Sequence, residues 1–173
     1  MKKLLKAILI AVISIIGGFL TYHTIKGYNE KKEAERRVQT LPQAEFVSLT
    51  GKKVNLYDFD PEKPMVIVYF HPECDHCHYE AQEIGQNAAA FSHCQVVMVT
   101  SDDSLKRIEN FCAEYHLWEL SNIEVLLDHN NQFKKVFGKA VIPSVYIYGF
   151  DRKLKKHFQG ETKPEAIITE MNS

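Results

Sequence analysis

The sequence predicts an α/β domain, a mixed central sheet with helices on both faces, behind an N-terminal membrane helix. Three features predict it. Two uninterrupted apolar runs, MVIVYF (Met65 to Phe70) and QVVMVT (Gln95 to Thr100), have the β-branched and aromatic content of strands buried on both faces. Helix-compatible segments with capping residues separate the strand-like pieces, which implies βαβ units. The chain also opens with lysines followed by an apolar run, the pattern of an export or anchor segment.

Lys2, Lys3 and Lys6 precede apolar residues from Ala7 to Leu20, a length between a signal-peptide core and a short membrane span. An uncleaved anchor is favoured, because Ile16 spoils the small-x-small cleavage pattern before Gly17-Gly18. The helix also continues through Thr21, Tyr22 and Ile25, and nineteen residues from Ala7 span about 28 Å. Lys6 and Lys26 can snorkel at the two ends, and Tyr22 suits an interface. The positive-inside rule sets the N-terminal lysines in the cytoplasm and the remainder on the periplasmic or extracytoplasmic side. Cleavage would instead give a secreted soluble form. The expected division is a signal-anchor over 1–27, a charged linker over 28–40 and the folded domain over 41–173. NEKKEAERRVQT, Asn29 to Thr40, reads as a solvated helical stalk.

Within the domain, Phe46 to Leu49 and Lys53 to Tyr57 flank Thr50-Gly51 as a hairpin. Lys63-Pro64 leads into the first buried strand, and a helix then runs from the CDHCH stretch to about Ala90. After the second buried strand, Ser101-Asp102-Asp103-Ser104 caps a helix reaching about Tyr115. Ile123 to Leu127 reads as a short strand and Asn131 to Phe137 as a helix. Ser144 to Tyr148 and Leu154 to Phe158 are two further strands, joined by a turn around Gly149 to Arg152. Thr162-Lys163-Pro164 opens the last helix, with Pro164 suited to its first turn.

A chain that is 45% hydrophobic and 25% charged can build a real core. A net charge of −1 gives no support to a nucleic-acid partner. Four cysteines are too few for a disulfide scaffold. Cys74 and Cys77 form a close pair, whereas Cys94 and Cys112 stand alone. These two read as buried structural thiols, with a second disulfide as the alternative in an oxidising compartment. Trp118 and Tyr115 are expected to pack.

CDHCH, Cys74 to His78, fits three chemistries: a dithiol redox pair, a c-type haem attachment and a Cys/His metal cluster. Its position between a buried strand and a helix sets Cys74 at a helix N-terminus, where free N–H groups stabilise a thiolate. Cys77 follows one turn on. Cys74 is then the nucleophile, Cys77 the resolving thiol, and His76 tunes the potential. Haem would need a distal ligand, and Met98 lies inside a buried strand as core packing. Metal binding or delivery, copper or zinc, is the opposing function class, with His71, His76, His78 and His93 nearby in sequence.

The residues resemble the thioredoxin superfamily, and within it the TlpA/ResA-like, AhpC/TSA-type membrane-anchored thiol–disulfide oxidoreductases. The matching pieces run from about Leu41 to the C-terminus. They are Gly51, Val54 and Leu56, Lys63-Pro64, MVIVYFHPEC running into C-x-x-C, Glu80, and VIPS at Val141 to Ser144. The resemblance implies a thioredoxin-like fold and no cofactor or metal beyond a Cys74–Cys77 redox-active disulfide. It also implies a cis peptide at Pro143 and substrate contacts at Ile142 and Pro72. Its implied partners are exported protein thiols and disulfides, apocytochrome c among them, and a redox-recycling partner. Cytochrome c maturation or periplasmic redox homeostasis would be the setting.

The sequence departs from the family at several positions. The buried acid that carries protons in thioredoxins falls at Val68, which leaves Glu80 or His71 as the proton carrier. Gln82 replaces the usual helix proline. The dipeptide Asp75-His76 resembles the oxidising pattern by its histidine, while Asp75 opposes thiolate formation. Copper chaperones of this superfamily use C-x-x-x-C, and peroxiredoxins use Pro-x-x-x-Thr-x-x-Cys; both are missing here.

Overall fold

MVIVYF forms a strand in which every residue is buried, and the rest of the sheet is arranged around it. The computed structural model describes residues 2–139 and 141–172. In chain order the strands are β1 (Glu45–Ser48), β2 (Lys53–Asn55), β3 (Met65–Phe70), β4 (Gln95–Thr100), β5 (Ile123–Leu127), β6 (Ser144–Tyr148) and β7 (Leu154–Gln159). The helices are α1 (Lys2–Arg37), α2 (Asp75–Gln86), α3 (Ala88–Phe91), α4 (Leu105–Glu114), α5 (Gln132–Phe137) and α6 (Pro164–Asn172). One sheet runs in the order β2-β1-β5-β4-β3-β6-β7. β3 pairs parallel to β4 and antiparallel to β6, so the sheet is mixed.

Alternation along β3 divides the core in two. Val66, Val68 and Phe70 face α2, α4 and α6, where Cys77, Ala81, Ile84, Ile108, Phe111 and Ile167 meet them. Met65, Ile67 and Tyr69 face the other layer with Phe133 and Phe137 of α5. There the Phe133 ring stacks on Tyr69 at 4.0 Å and on Phe137 at 4.2 Å.

From Ile10 onward, α1 contains an 18-residue window of mean hydropathy 1.3 with none of it buried, long and apolar enough to cross a membrane. The helix then runs unbroken through the charged segment to Arg37. The solvated stalk expected there ends earlier than Thr40, because Ala34 and Val38, four residues apart on one helix face, are buried against the domain. Arg37 donates from Nε to the Val136 carbonyl at 3.2 Å and from Nη2 to that of Lys135 at 3.3 Å. Tyr148 donates its hydroxyl to the Val38 carbonyl at 3.0 Å. Leu41 N–H reaches Arg152 O at 2.7 Å, and Leu154 N–H reaches Gln39 O at 2.9 Å.

Two expected elements are shorter than their sequence pattern. The second arm of the hairpin stops at Asn55, whose side chain accepts from Tyr57 N–H while Asp58 accepts from Asn55 N–H, turning the chain into a short 3-10 helix. The helix expected to reach Ala90 breaks at Asn87, which donates its side-chain amide to the Glu83 carbonyl at 2.8 Å.

Candidate dithiol site

β3 delivers the chain to α2 through the tight turn His71–Glu73. Cys74 N–H donates to the His71 carbonyl at 3.0 Å, and Glu73 N–H donates to His71 Nδ1 at 3.2 Å. Cys74 then occupies the N-cap of α2 in extended conformation, at φ −99° and ψ 115°. Its carbonyl accepts from Cys77 N–H at 2.8 Å and His78 N–H at 3.1 Å, while its side chain makes no capping bond. Cys74 is half-buried at the amino end of a helix. Its sulfur lies 4.0 Å from the carbonyl oxygen of Ile142. The Ile142–Pro143 peptide bond is cis. Ile142 is partly exposed, whereas Pro143 and Pro72 are buried.

Cys77 is one turn further on and 1% exposed. Burial pushes its thiol far up; a backbone contact from His71 opposes this, and Cys74 and Glu80 add to it. The two thiols of C-x-x-C thus occupy different environments, one open and one sealed. All four cysteines are free thiols here. Cys94 and Cys112 are fully buried, and burial raises both to about 12.

Glu80 follows three residues after Cys77 and is 1% exposed. Neither carboxyl oxygen makes a hydrogen bond of ordinary geometry. Burial pushes this acid up to about 8; the Thr162 backbone amide works against the rise and the Glu161 charge adds to it. Val68 lies in the same core layer as Cys77 and Ala81, so the carboxyl beside the dithiol comes from the helix and not from β3.

The nearby histidines turn to three separate partners. His71 Nε2 is 3.8 Å from Asp102. Arg107 grips that buried Asp102 through Nε at 2.8 Å and Nη2 at 2.9 Å, which holds its carboxyl below the usual range against the effect of burial. His76 Nδ1 is 2.7 Å from Glu161 Oε2 on the loop after β7. His78 is half-buried against Phe111 and 2.7 Å from the Tyr115 hydroxyl. Among the described residues no three His, Cys, Asp or Glu side chains gather as a metal-holding group. Trp118, expected to pack, is 51% exposed.

Glu161 and Arg107 went unnoticed in the sequence. Glu161 lies 85 residues from His76, and only the fold brings it there. Arg107 had a signal in its spacing from the capping Asp102, five residues earlier.

Residues 38–157 match the AhpC/TSA family. The thiol-disulfide oxidoreductase ResA of Bacillus cereus is 23% identical over 172 residues, covering 96% of this chain and 95% of that protein. ResA of Bacillus thuringiensis subsp. konkukian is 21% identical over 169 residues, covering 96% of this chain and 95% of that protein. Among solved structures, a secreted Mycobacterium tuberculosis disulfide oxidoreductase homologous to E. coli DsbE superposes with a TM-score of 0.63 at 20% identity. It covers 78% of this chain and 96% of that one. A secreted thiol-disulfide isomerase from Corynebacterium glutamicum gives 0.62 at 18% identity, covering 75% and 81%. These likenesses show the thioredoxin-like fold.

Proposed function

The chain belongs to the AhpC/TSA family and is a thiol–disulfide oxidoreductase, and we propose that Cys74 and Cys77 are its redox couple. The observation that carries this reading is the contrast within one helical turn. A half-buried cysteine sits at the helix N-terminus, and a buried thiol lies one turn behind it, followed by a buried carboxyl.

In the reducing direction the Cys74 thiolate attacks one sulfur of a substrate disulfide. The substrate S–S bond breaks, a Cys74–substrate disulfide forms, and the first substrate thiolate leaves and takes a proton from water. Cys77 then gives its proton to the Glu80 carboxylate and attacks the Cys74 sulfur. The mixed disulfide breaks, the Cys74–Cys77 disulfide forms, and the second substrate thiolate departs. Two electrons have passed from the dithiol to the substrate. Glu80 in its acid form returns the proton when the steps run backwards. The Ile142 carbonyl, 4.0 Å from the Cys74 sulfur, would pair with an extended substrate segment, whereas Pro72, expected to touch substrate, is buried in the turn before Cys74.

Protein thiols and disulfides are the substrate class. Exported proteins, apocytochrome c among them, are the proposed substrates, with a second dithiol protein to recycle the couple. α1 is the proposed single-pass anchor, with Lys2, Lys3 and Lys6 on the cytoplasmic side and the dithiol on the other.

The full chain in detergent, reduced and mixed with a small aromatic disulfide, should release two thiols per protein. Cys74→Ser should abolish release. Cys77→Ala should stop after one thiol and retain the mixed disulfide, visible by mass. Exchange that survives Cys74→Ser would sink the assignment. A standard potential near about −270 mV would identify a reductant and one near about −120 mV an oxidant.

A further inference from the structure

Three successive residues between β7 and α6 reach three different parts of the dithiol site. Gly160, at φ +86°, donates its N–H to the Pro143 carbonyl at 2.8 Å. Glu161 holds Oε2 2.7 Å from Nδ1 of His76, the residue between the two cysteines nearest Cys77. Thr162 is buried, donates its hydroxyl to the Gly160 carbonyl at 3.1 Å, and turns its backbone N–H towards the Glu80 carboxyl. The left-handed backbone at Gly160, open to a residue without Cβ, lets the chain leave β7 and aim the next two residues at α2.

We propose that Glu161 is a positioning residue for disulfide exchange: gripped by His76, it holds the 160–162 loop against α2 and keeps its own charge beside the buried Glu80. The inference rests on the reading of Cys74–Cys77 as the redox couple and Glu80 as its proton carrier.

As a source of stability the His76–Glu161 pair is weak, since the two side chains are 67% and 44% exposed and solvent screens them. Its effect is geometric. A glutamate on a loop would otherwise wander through solvent, and the imidazole fixes it on the flank of the active helix. Among the described residues, the titratable and polar groups that interact with Glu80 are Tyr79 and Cys77 from its own helix, Glu161 from the loop, and the Thr162 amide. The Glu161 charge disfavours a second negative charge at Glu80, and the Thr162 amide favours it. One short loop therefore acts on the buried acid from both directions and also fastens the Pro143 segment.

The test follows release of a small thiol from a mixed disulfide on Cys74, as a function of pH, in the full chain in detergent. Wild type, E80Q, E161Q, H76A and the H76A/E161Q pair are compared, each with its thermal midpoint. The wild-type rate should rise through an inflection that E80Q lacks. E161Q should move that inflection to lower pH by roughly half a unit, with the thermal midpoint unchanged. In the H76A background the same substitution should move it less than half as far, because the carboxylate is no longer held. An inflection that stays in place in E161Q, or moves equally with and without His76, would overturn the role of Glu161 while leaving the dithiol reading intact. An inflection that persists in E80Q would instead overturn the reading of Glu80, and this inference with it.

Discussion

Ala34 and Gly138 approach so closely that a Cβ added to the glycine would lie 2.7 Å from that of Ala34. Gly138 also has φ +82°, so space and conformation both demand glycine. The contact joins the last turn of α1 to the end of α5. Gly138→Ala should therefore destabilise the folded domain by about 1–3 kcal/mol. Thermal unfolding followed by circular dichroism checks it, and an unchanged midpoint would contradict both the left-handed backbone at Gly138 and the docking of α1 against it.

Thiol labelling should separate the four cysteines. In the reduced, folded chain a short pulse of iodoacetamide should modify Cys74, which is the only one of the four that is not buried. Cys77, Cys94 and Cys112 are sealed, and burial raises each thiol, so little thiolate forms at neutral pH. Unfolding in denaturant should expose all four. Rapid native labelling at Cys94 or Cys112, read by peptide mass, would contradict the packing described.

Glu80 should make exchange and stability respond to pH in opposite ways. Only the ionised acid can accept the Cys77 proton, so the resolving step should accelerate as pH rises through about 8. Glu80→Gln should slow that step at least about tenfold above this pH. For stability the folded acid is raised from 4.5 to about 8, so the folded state holds the extra proton. Its contribution is complete below about pH 4.5 and is lost as pH rises through about 8. Glu80→Gln should abolish this decline, gaining on the order of 2–4 kcal/mol over wild type between pH 5 and pH 9. Denaturant titrations at the two pH values decide it.

Asp102 should behave in the reverse sense. Arg107 holds its carboxyl below the ordinary range, so its stabilisation is present above the ordinary carboxylate value and lost as pH falls through the lowered one. Asp102→Asn should cost about 1–3 kcal/mol at pH 7 and much less near pH 2. An equal cost at both would mean that shape, and not charge, matters there.

The buried strands were legible because their composition has one physical reading. β3 and β4 span the residues that the apolar runs marked, and Ser104 caps α4 by accepting from Arg107 N–H. What escaped the sequence depends on contacts between distant residues. Ala34 and Val38 are two small apolar side chains in a charged stretch, and nothing nearby reveals that α5 waits for them. Asn87 breaks its helix through one side-chain hydrogen bond, which a helical pattern does not reveal. At the site, the spacing of Cys74, Cys77 and Glu80 along one helix was readable, but the burial of Glu80 was not. That burial depends on the loop at Thr162, which arrives from the other end of the domain.

The unbroken passage of α1 into its docked last turn leaves no swivel between stem and domain. From Lys26 to Arg37 the helix extends about 18 Å, and the next residues are already pinned to β7. With the apolar half held in a bilayer, such a stem would act as a rigid mast, giving Cys74 one height and one heading. The enzyme would then sweep a single plane above the lipid. A substrate would need slack in its own chain to bring a disulfide there.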